Sequence, residues 1–208
     1  MKGMGMLAVI DYGAGNLRSV LHALHYLGVG DIRVVRGPRD LREVDKIILP
    51  GVGAFGAGMQ KLHEQDLVEP IKNAVFAGKP YLGICLGMQF LFERSDEMGN
   101  YTGLGLLPGY VTRFEPQPGL KIPHMGWNQL QLKRASPLMA GADAGYAYFV
   151  HSYYCAPAEQ SDVVATVDYG GAFTAVVQRD HIYGVQFHPE KSQQMGLRIL
   201  ANFLEVAA

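Results

Sequence analysis

Apolar residues along the first half of the chain fall into two alternating rhythms. Short runs at Met6 to Ile10, Ile32 to Val35, Lys46 to Leu49 and Pro80 to Ile84 are dense in aliphatic and β-branched residues, which reads as buried strands. Between them the spacing lengthens to that of a helix face. Leu17, Val20, Leu21, Leu24 and Leu27 line up on one side, and Gly28 is placed to end the helix. Helical stretches are also predicted near Asp66 to Ala77 and Leu86 to Arg94. Such a strand-helix-strand alternation builds a parallel sheet with helices on both faces. From Gly99 the texture becomes strand-like, with runs at Tyr110 to Phe114, Gln129 to Leu132, Ala147 to His151, Val163 to Asp168 and Ile182 to Phe187. Helical spacing returns at the end, through Met195, Ile199, Phe203 and Val206. The expected fold class is α/β, a mostly parallel open sheet flanked by helices with an antiparallel β extension in the second half. The 208 residues show no repeat, linker or low-complexity segment, so one domain over 1–208 is expected.

Composition removes several function classes. Lys and Arg number 18 against 19 Asp and Glu, a formal net charge of -1, which leaves no basic surplus to displace counterions from a nucleic-acid backbone. Hydrophobic residues at 49% against 18% charged are enough for a sizeable core. Apolar stretches stay far short of the roughly 20 residues that span a bilayer, and Asp11 interrupts the first one before a signal-peptide core forms. The expectation is a cytoplasmic protein with no nucleic-acid or membrane partner. Two cysteines, Cys85 and Cys155, are too few and too far apart for a disulfide framework or a CxxC metal site, so either one matters only as a thiol.

The segment Pro80-Tyr81-Leu82-Gly83-Ile84-Cys85-Leu86-Gly87-Met88-Gln89 runs a strand directly into a helix through G-x-C-x-G, the thiol counterpart of a nucleophile elbow. Glycines at 83 and 87 leave room for a sharp turn whose apex, Cys85, projects from the end of the sheet. The N–H groups and the positive end of the new helix then face the sulfur and favour a thiolate. A free cysteine elsewhere is usually a small buried hydrophobe. Here strand, glycines and helix coincide as the elbow requires.

A nucleophile needs a base, and seven histidines compete for the role. His22, His25 and His63 sit in helical or charged surroundings and His181 in a turn beside Asp180, all consistent with solvated roles. His124 and His151 stay open. His188 stands out because it closes the apolar strand Ile182 to Phe187 and is followed by Pro189-Glu190. In extended chain, i and i+2 share a side, and proline keeps the residue before it extended, so His188 and Glu190 are expected to be neighbours. A carboxylate there orients the imidazole and stabilises its charged form. A third segment, Leu49-Pro50-Gly51-Val52-Gly53-Ala54-Phe55-Gly56, fits G-x-G-x-x-G, but the acidic residues downstream fall in a helix rather than at a strand end, which argues against a dinucleotide site. Its place at a strand end beside Cys85 suits Gly51, Val52 and Gly53 to offer an N–H to an oxyanion, joining the N–H of Leu86; an ordinary turn explains it equally well.

These residues resemble the triad-type glutamine amidotransferases, whose glutaminase uses Cys, His and Glu. Ile10-Asp11-Tyr12-Gly13-Ala14-Gly15-Asn16, Pro123-His124-Met125-Gly126-Trp127-Asn128 and Phe149-Val150-His151-Ser152-Tyr153-Tyr154 narrow the resemblance to the glutaminase subunits of imidazole glycerol phosphate synthase, in histidine biosynthesis. The resemblance implies that Cys85, His188 and Glu190 hydrolyse glutamine through a thioester, with Gln89, Glu97, His151, Ser152 and Tyr153 holding the substrate's amino and carboxylate ends. It also implies a heterodimer with a cyclase subunit, which consumes the ammonia, and no metal or organic cofactor. Pro123, His124, Met125, Trp127 and Asn128 form the candidate docking surface, because Trp and Met are enriched at interface cores, with Lys191 adding a charged contact. Two other readings use the same residues: a γ-glutamyl hydrolase or thiol peptidase with no synthase partner, and a catalytically silent binding subunit.

Overall fold

Strand β1 (Leu7–Ile10) divides its side chains between two cores, in a computed structural model that describes residues 5–142 and 145–207. Leu7 and Val9 pack with Val20 and Leu24 of helix α1 (Leu17–Tyr26), while Ala8 and Ile10 face the opposite layer. This is the two-residue alternation of a strand sandwiched between helices. Strands β2 (Ile32–Val35), β3 (Lys46–Gly51) and β4 (Tyr81–Cys85) extend the parallel array. Helices α2 (Phe55–Glu64) and α3 (Val68–Phe76) cover the second face through Phe55, Met59, Leu62, Ile71 and Val75.

After the short helix α4 (Leu86–Gln89) come β5 (Phe92–Ser95), β6 (Tyr101–Thr102), β7 (Leu107–Arg113), β8 (His124–Gln129), β9 (Gln131–Leu132), β10 (Tyr146–His151), β11 (Tyr153–Pro157), β12 (Val163–Asp168), β13 (Ala172–Arg179) and β14 (Ile182–Val185). Helix α5 (Gln193–Glu205) follows and packs Ile199, Leu200 and Phe203 on the α1 side. Among the described residues, ten strands follow the order β2-β1-β3-β4-β14-β13-β11-β7-β5-β6, with β12 on β13 and β9 on β12 completing a 12-stranded sheet; β8 and β10 form a separate antiparallel ribbon. The step that builds the site is the return of β14 to lie parallel beside β4, pairing Val185 with Ile84. Residues just past both strand ends are thereby brought to one level of the sheet.

The parallel half and the antiparallel extension match the expected fold class, but several elements differ. The helix expected over Leu86 to Arg94 stops at Gln89, and the chain turns into strand β5. Phe90, Leu91 and Phe92 are all fully buried, and the pairing of Phe92 with Leu107 of β7 claims the segment for the sheet. Local spacing fits either period; a neighbouring strand decides it. Helix α2 went unpredicted because Gly56 and Gly58 depress helix propensity. Both are needed for close approach: a side chain at 58 would meet the Phe90 ring at 2.5 Å, and one at 56 would overlap Tyr101. Strands β11 and β13 were also missed, and Gln129 to Leu132 splits between the end of β8 and β9. No helix among the described residues is long and apolar enough to cross a membrane.

Candidate active site

Cys85 sits at the apex of the β4–α4 junction with φ of 54° and ψ of -109°, a backbone conformation that side chains rarely adopt. The neighbouring glycines make it feasible. A Cβ at Gly83 would run into the Gly87 carbonyl and come within 2.6 Å of the Met88 nitrogen, and a Cβ at Gly87 would overlap the Leu49 carbonyl. Helix α4 has only four residues, so it brings little of the macrodipole expected from sequence.

The imidazole of His188, 2% exposed, is held by its Nδ1 at 2.9 Å from Glu190 Oε1. The pair are neighbours as expected, although Pro189 already begins a turn of 3₁₀ helix rather than extended chain. Glu190 Oε1 also accepts from Asn16 Nδ2 at 3.1 Å, which ties the first βα turn to the His188–Glu190 pair. His188 Nε2 is buried without a hydrogen-bond partner, and His188 lines the cleft that holds Cys85. Burial works against the imidazolium, but Cys85 and Glu190 beside it outweigh that and raise its pKa well above the ordinary histidine value. Gln186, wholly buried on β14's continuation, places Nε2 at 3.8 Å from Cys85 Sγ. Neither Asn16 nor Gln186 was assigned a triad contact from the sequence. The available signal was positional: Gln186 stands two residues before His188, and Asn16 follows the carboxyl end of β1.

The cleft in front of Cys85 has a volume of about 180 Å³, below the roughly 300–1,000 Å³ of pockets for drug-sized ligands and suited to a single amino acid. Val52, Gly53, Leu86, Gln89, Glu97, His151, Ser152, Tyr153 and His188 all line it with Cys85. Gly51 lies beneath, buried against the Tyr12 hydroxyl and Leu86, and Glu190 stands behind His188. Glu97 accepts from the Phe55 N–H at 2.6 Å, capping α2, while burial raises its pKa against that hydrogen bond. Gln89 donates to the Tyr153 carbonyl at 3.0 Å and to Gln186 Oε1 at 3.2 Å. Both ring nitrogens of His151 are engaged within the protein, on the Tyr153 carbonyl and on His124, so its ring is not free to bind a substrate through nitrogen.

The segment expected to dock a partner divides. Pro123, Met125 and Trp127 are exposed, the last two at 62% and 47%, and Lys191 is exposed with its Nζ over the Tyr148 ring. His124 turns the other way and is buried among Phe114, Phe149, Tyr169 and Phe173, which removes it from that surface. Asn128 is half-buried and bonded to the Asp168 carbonyl. Cys155 is buried at 1% exposure, and burial pushes its thiol well above the ordinary range. Among the described residues, no group of three or more His, Cys, Asp or Glu side chains is placed to hold a metal ion.

Known proteins resemble this chain along most of its length. Residues 8–207 match the family model for glutamine amidotransferase class-I. The imidazole glycerol phosphate synthase subunit HisH of Syntrophotalea carbinolica is 50% identical over 95% of this chain and 98% of its own. The subunit of the same name from Methanothermobacter thermautotrophicus is 49% identical over 97% of this chain and 98% of its own. Among solved structures, a glutamine amidotransferase superposes with a TM-score of 0.76 at 21% identity, covering 97% of this chain and 98% of that one. PurLQS from Thermotoga maritima gives the same TM-score of 0.76 at 21% identity over 97% of this chain. The chain belongs to the class-I glutamine amidotransferases and, within them, to the family of the imidazole glycerol phosphate synthase subunit HisH.

Proposed function

We propose that this chain hydrolyses L-glutamine through Cys85, His188 and Glu190 and delivers the ammonia to a cyclase subunit, with which it forms a heterodimeric imidazole glycerol phosphate synthase. The observation that carries the reading is the strained elbow at Cys85 sharing one small cleft with an imidazole that Glu190 holds from behind. In the first step the Cys85 sulfur, its proton on His188, attacks the side-chain amide carbon, and the carbonyl π electrons move onto oxygen. The resulting oxyanion is stabilised by the Leu86 N–H and by a backbone N–H from the Gly51-Val52-Gly53 loop. His188 returns its proton to the amide nitrogen, the C–N bond breaks, and ammonia leaves a γ-glutamyl thioester. Water, deprotonated by His188, then attacks the thioester through a second oxyanion and releases glutamate and the Cys85 sulfur.

The substrate's charged end falls to Gln89, Glu97, Ser152 and Tyr153, with Glu97 the one carboxylate lining the cleft among the described residues and therefore matched to the α-ammonium. Polar groups committed to that end discriminate against simple amides, which would leave them unpaired. The cyclase seats on the face bearing Pro123, Met125, Trp127, Asn128 and Lys191, and the cytoplasm keeps the nucleophilic thiol reduced. The reading is tested by measuring ammonia release from glutamine by the chain alone, with cyclase, and with cyclase plus its nucleotide ligand. Release is expected in the complex, rising on addition of that ligand; a complex that releases none would overturn the proposal.

A further inference from the structure

Two buried histidines beside the cleft face one another. His124 of β8 and His151 of β10 are directly paired across the antiparallel ribbon, 3% and 7% exposed, with His124 Nδ1 at 3.1 Å from His151 Nε2. The protons in this pair can be placed. His151 Nδ1 lies 2.9 Å from the Tyr153 carbonyl oxygen, which only accepts, so Nδ1 carries the hydrogen. A neutral imidazole has one N–H, so His151 Nε2 is the acceptor and His124 Nδ1 the donor. His124 Nε2 is then bare and faces the Asn128 amide nitrogen at 3.4 Å, which can only donate. Each link thus points the same way, from Asn128 through His124 and His151 to the Tyr153 carbonyl.

Both rings stay neutral for a physical reason. Burial pushes His151 down to about 3, with the neighbouring His124 and His188 adding to the effect and the Tyr153 carbonyl opposing it. Burial alone pushes His124 down to about 4. The surrounding groups are mainly aromatic, Phe114, Phe149, Tyr169 and Phe173, and among the described residues no carboxylate acts to draw a proton onto either ring. The far end of the line is the cleft. The same Tyr153 oxygen accepts from Gln89 Nε2 at 3.0 Å, and the other amide hydrogen of Gln89 goes to Gln186 Oε1 at 3.2 Å. Gln89 is therefore oriented by a carbonyl that His151 in turn holds.

We propose that His124 and His151 are positioning residues, a neutral one-way imidazole relay that fixes the Tyr153 carbonyl and, through it, the Gln89 amide on the glutamine cleft. The relay ends on a carbonyl, so it carries no proton to the reaction; it sets geometry. The proposal rests on the reading that this cleft binds glutamine.

Two measurements test it. In the ¹⁵N-labelled full chain, the imidazole nitrogens of both histidines should report the neutral Nδ1–H tautomer throughout the range of about pH 5.5 to 7.5. An Nε2–H tautomer at either ring, or protonation within that range, would overturn the relay. In the complex with cyclase, His124→Phe keeps the ring but loses the donor, and should raise KM for glutamine about ten-fold while kcat changes much less. His124→Asn, whose amide nitrogen sits where Nδ1 does, should return KM close to the wild-type value. An active wild-type complex with unchanged KM in His124→Phe would refute the relay alone, whereas a wild-type complex with no glutaminase activity would refute the assignment of the cleft. The tautomer measurement needs no variant, so misfolding of His124→Phe would still leave a decisive result.

Discussion

Gly51 and Cys85 are register partners across the parallel pair β3–β4, so the glycine-rich loop and the Cys85 elbow leave the sheet at the same level. That alignment leaves no space at position 51. A methyl group there would stand 2.5 Å from the Tyr12 hydroxyl and 2.9 Å from the Leu86 Cβ. Gly51→Ala must displace the Tyr12 ring, the loop or the first residue of α4, and a shift of the last two at an oxyanion site costs about ten- to hundred-fold in rate. The expected result is a fall in kcat of that order, partly restored by adding Tyr12→Phe. Steady-state glutaminase assays of the single and double variants in the complex check it; unchanged kcat in Gly51→Ala would detach the loop from catalysis.

The two thiols should separate cleanly. Cys85→Ala is expected to abolish glutamine-dependent synthesis while the complex still uses added ammonium, because only the nitrogen source is lost. Cys155 is held protonated by burial, so Cys155→Ala should keep glutaminase activity. Peptide mapping after treatment with an electrophilic glutamine analogue should find label at position 85 and none at 155.

Asn16 and Glu190 give a graded test of imidazole orientation. Glu190→Gln removes the charge facing His188, whereas Asn16→Ala removes only one donor to the same oxygen. The loss in kcat should rank Asn16→Ala below Glu190→Gln, and Glu190→Gln below His188→Ala, with about ten-fold for the mildest. Equal rates for wild type and Glu190→Gln would make the carboxylate a bystander.

Histidines shape the pH dependence of stability from both sides. His188 has a folded pKa raised above its ordinary 6.5, so its stabilisation is complete below 6.5 and is lost as pH rises through the folded value. His124 and His151 are lowered to about 4 and about 3, so the unfolded chain binds more protons below 6.5 and stability falls as pH drops from there. Thermal midpoints across a pH series should therefore peak at about pH 6 to 7. His188→Phe should flatten the alkaline limb and leave the acid limb in place. A midpoint that climbs steadily from 6.5 to about 9 would contradict these assignments.

On the proposed docking face, Trp127 is 47% exposed and packs edge-on against Tyr148 at 6.0 Å, so its removal opens no core cavity. Trp127→Ala should leave the melting midpoint of the isolated chain within a few degrees of wild type and weaken cyclase binding about ten-fold or more. Titration calorimetry and a melting curve on the same sample check both halves.

The sequence alone determined what depends on neighbours along the chain. The glycines around Cys85 declared the elbow because a side chain at 83 or 87 would collide with backbone inside the same turn or the adjacent strand. His188 and Glu190 were readable as a pair because two residues and a proline fix their separation. The α1 face followed from a helical period repeated often enough to be unambiguous, and β1 from a short aliphatic run. What the tertiary structure decided depends on partners distant in sequence. The stretch from Phe90 to Arg94 has spacing that suits a helix, and only the pairing of β5 with β7 makes a strand from Phe92 onward. Asn16 reaches Glu190 across 174 positions, and Gln186 reaches Cys85 across 101, contacts that exist because β14 returns beside β4. His124 was grouped with the exposed Met125 and Trp127 by adjacency, yet alternation along β8 turns its ring inward, where His151 rather than a partner meets it. Local sterics are written into a few residues at a time, whereas a buried polar group takes whichever partner the completed sheet places opposite it.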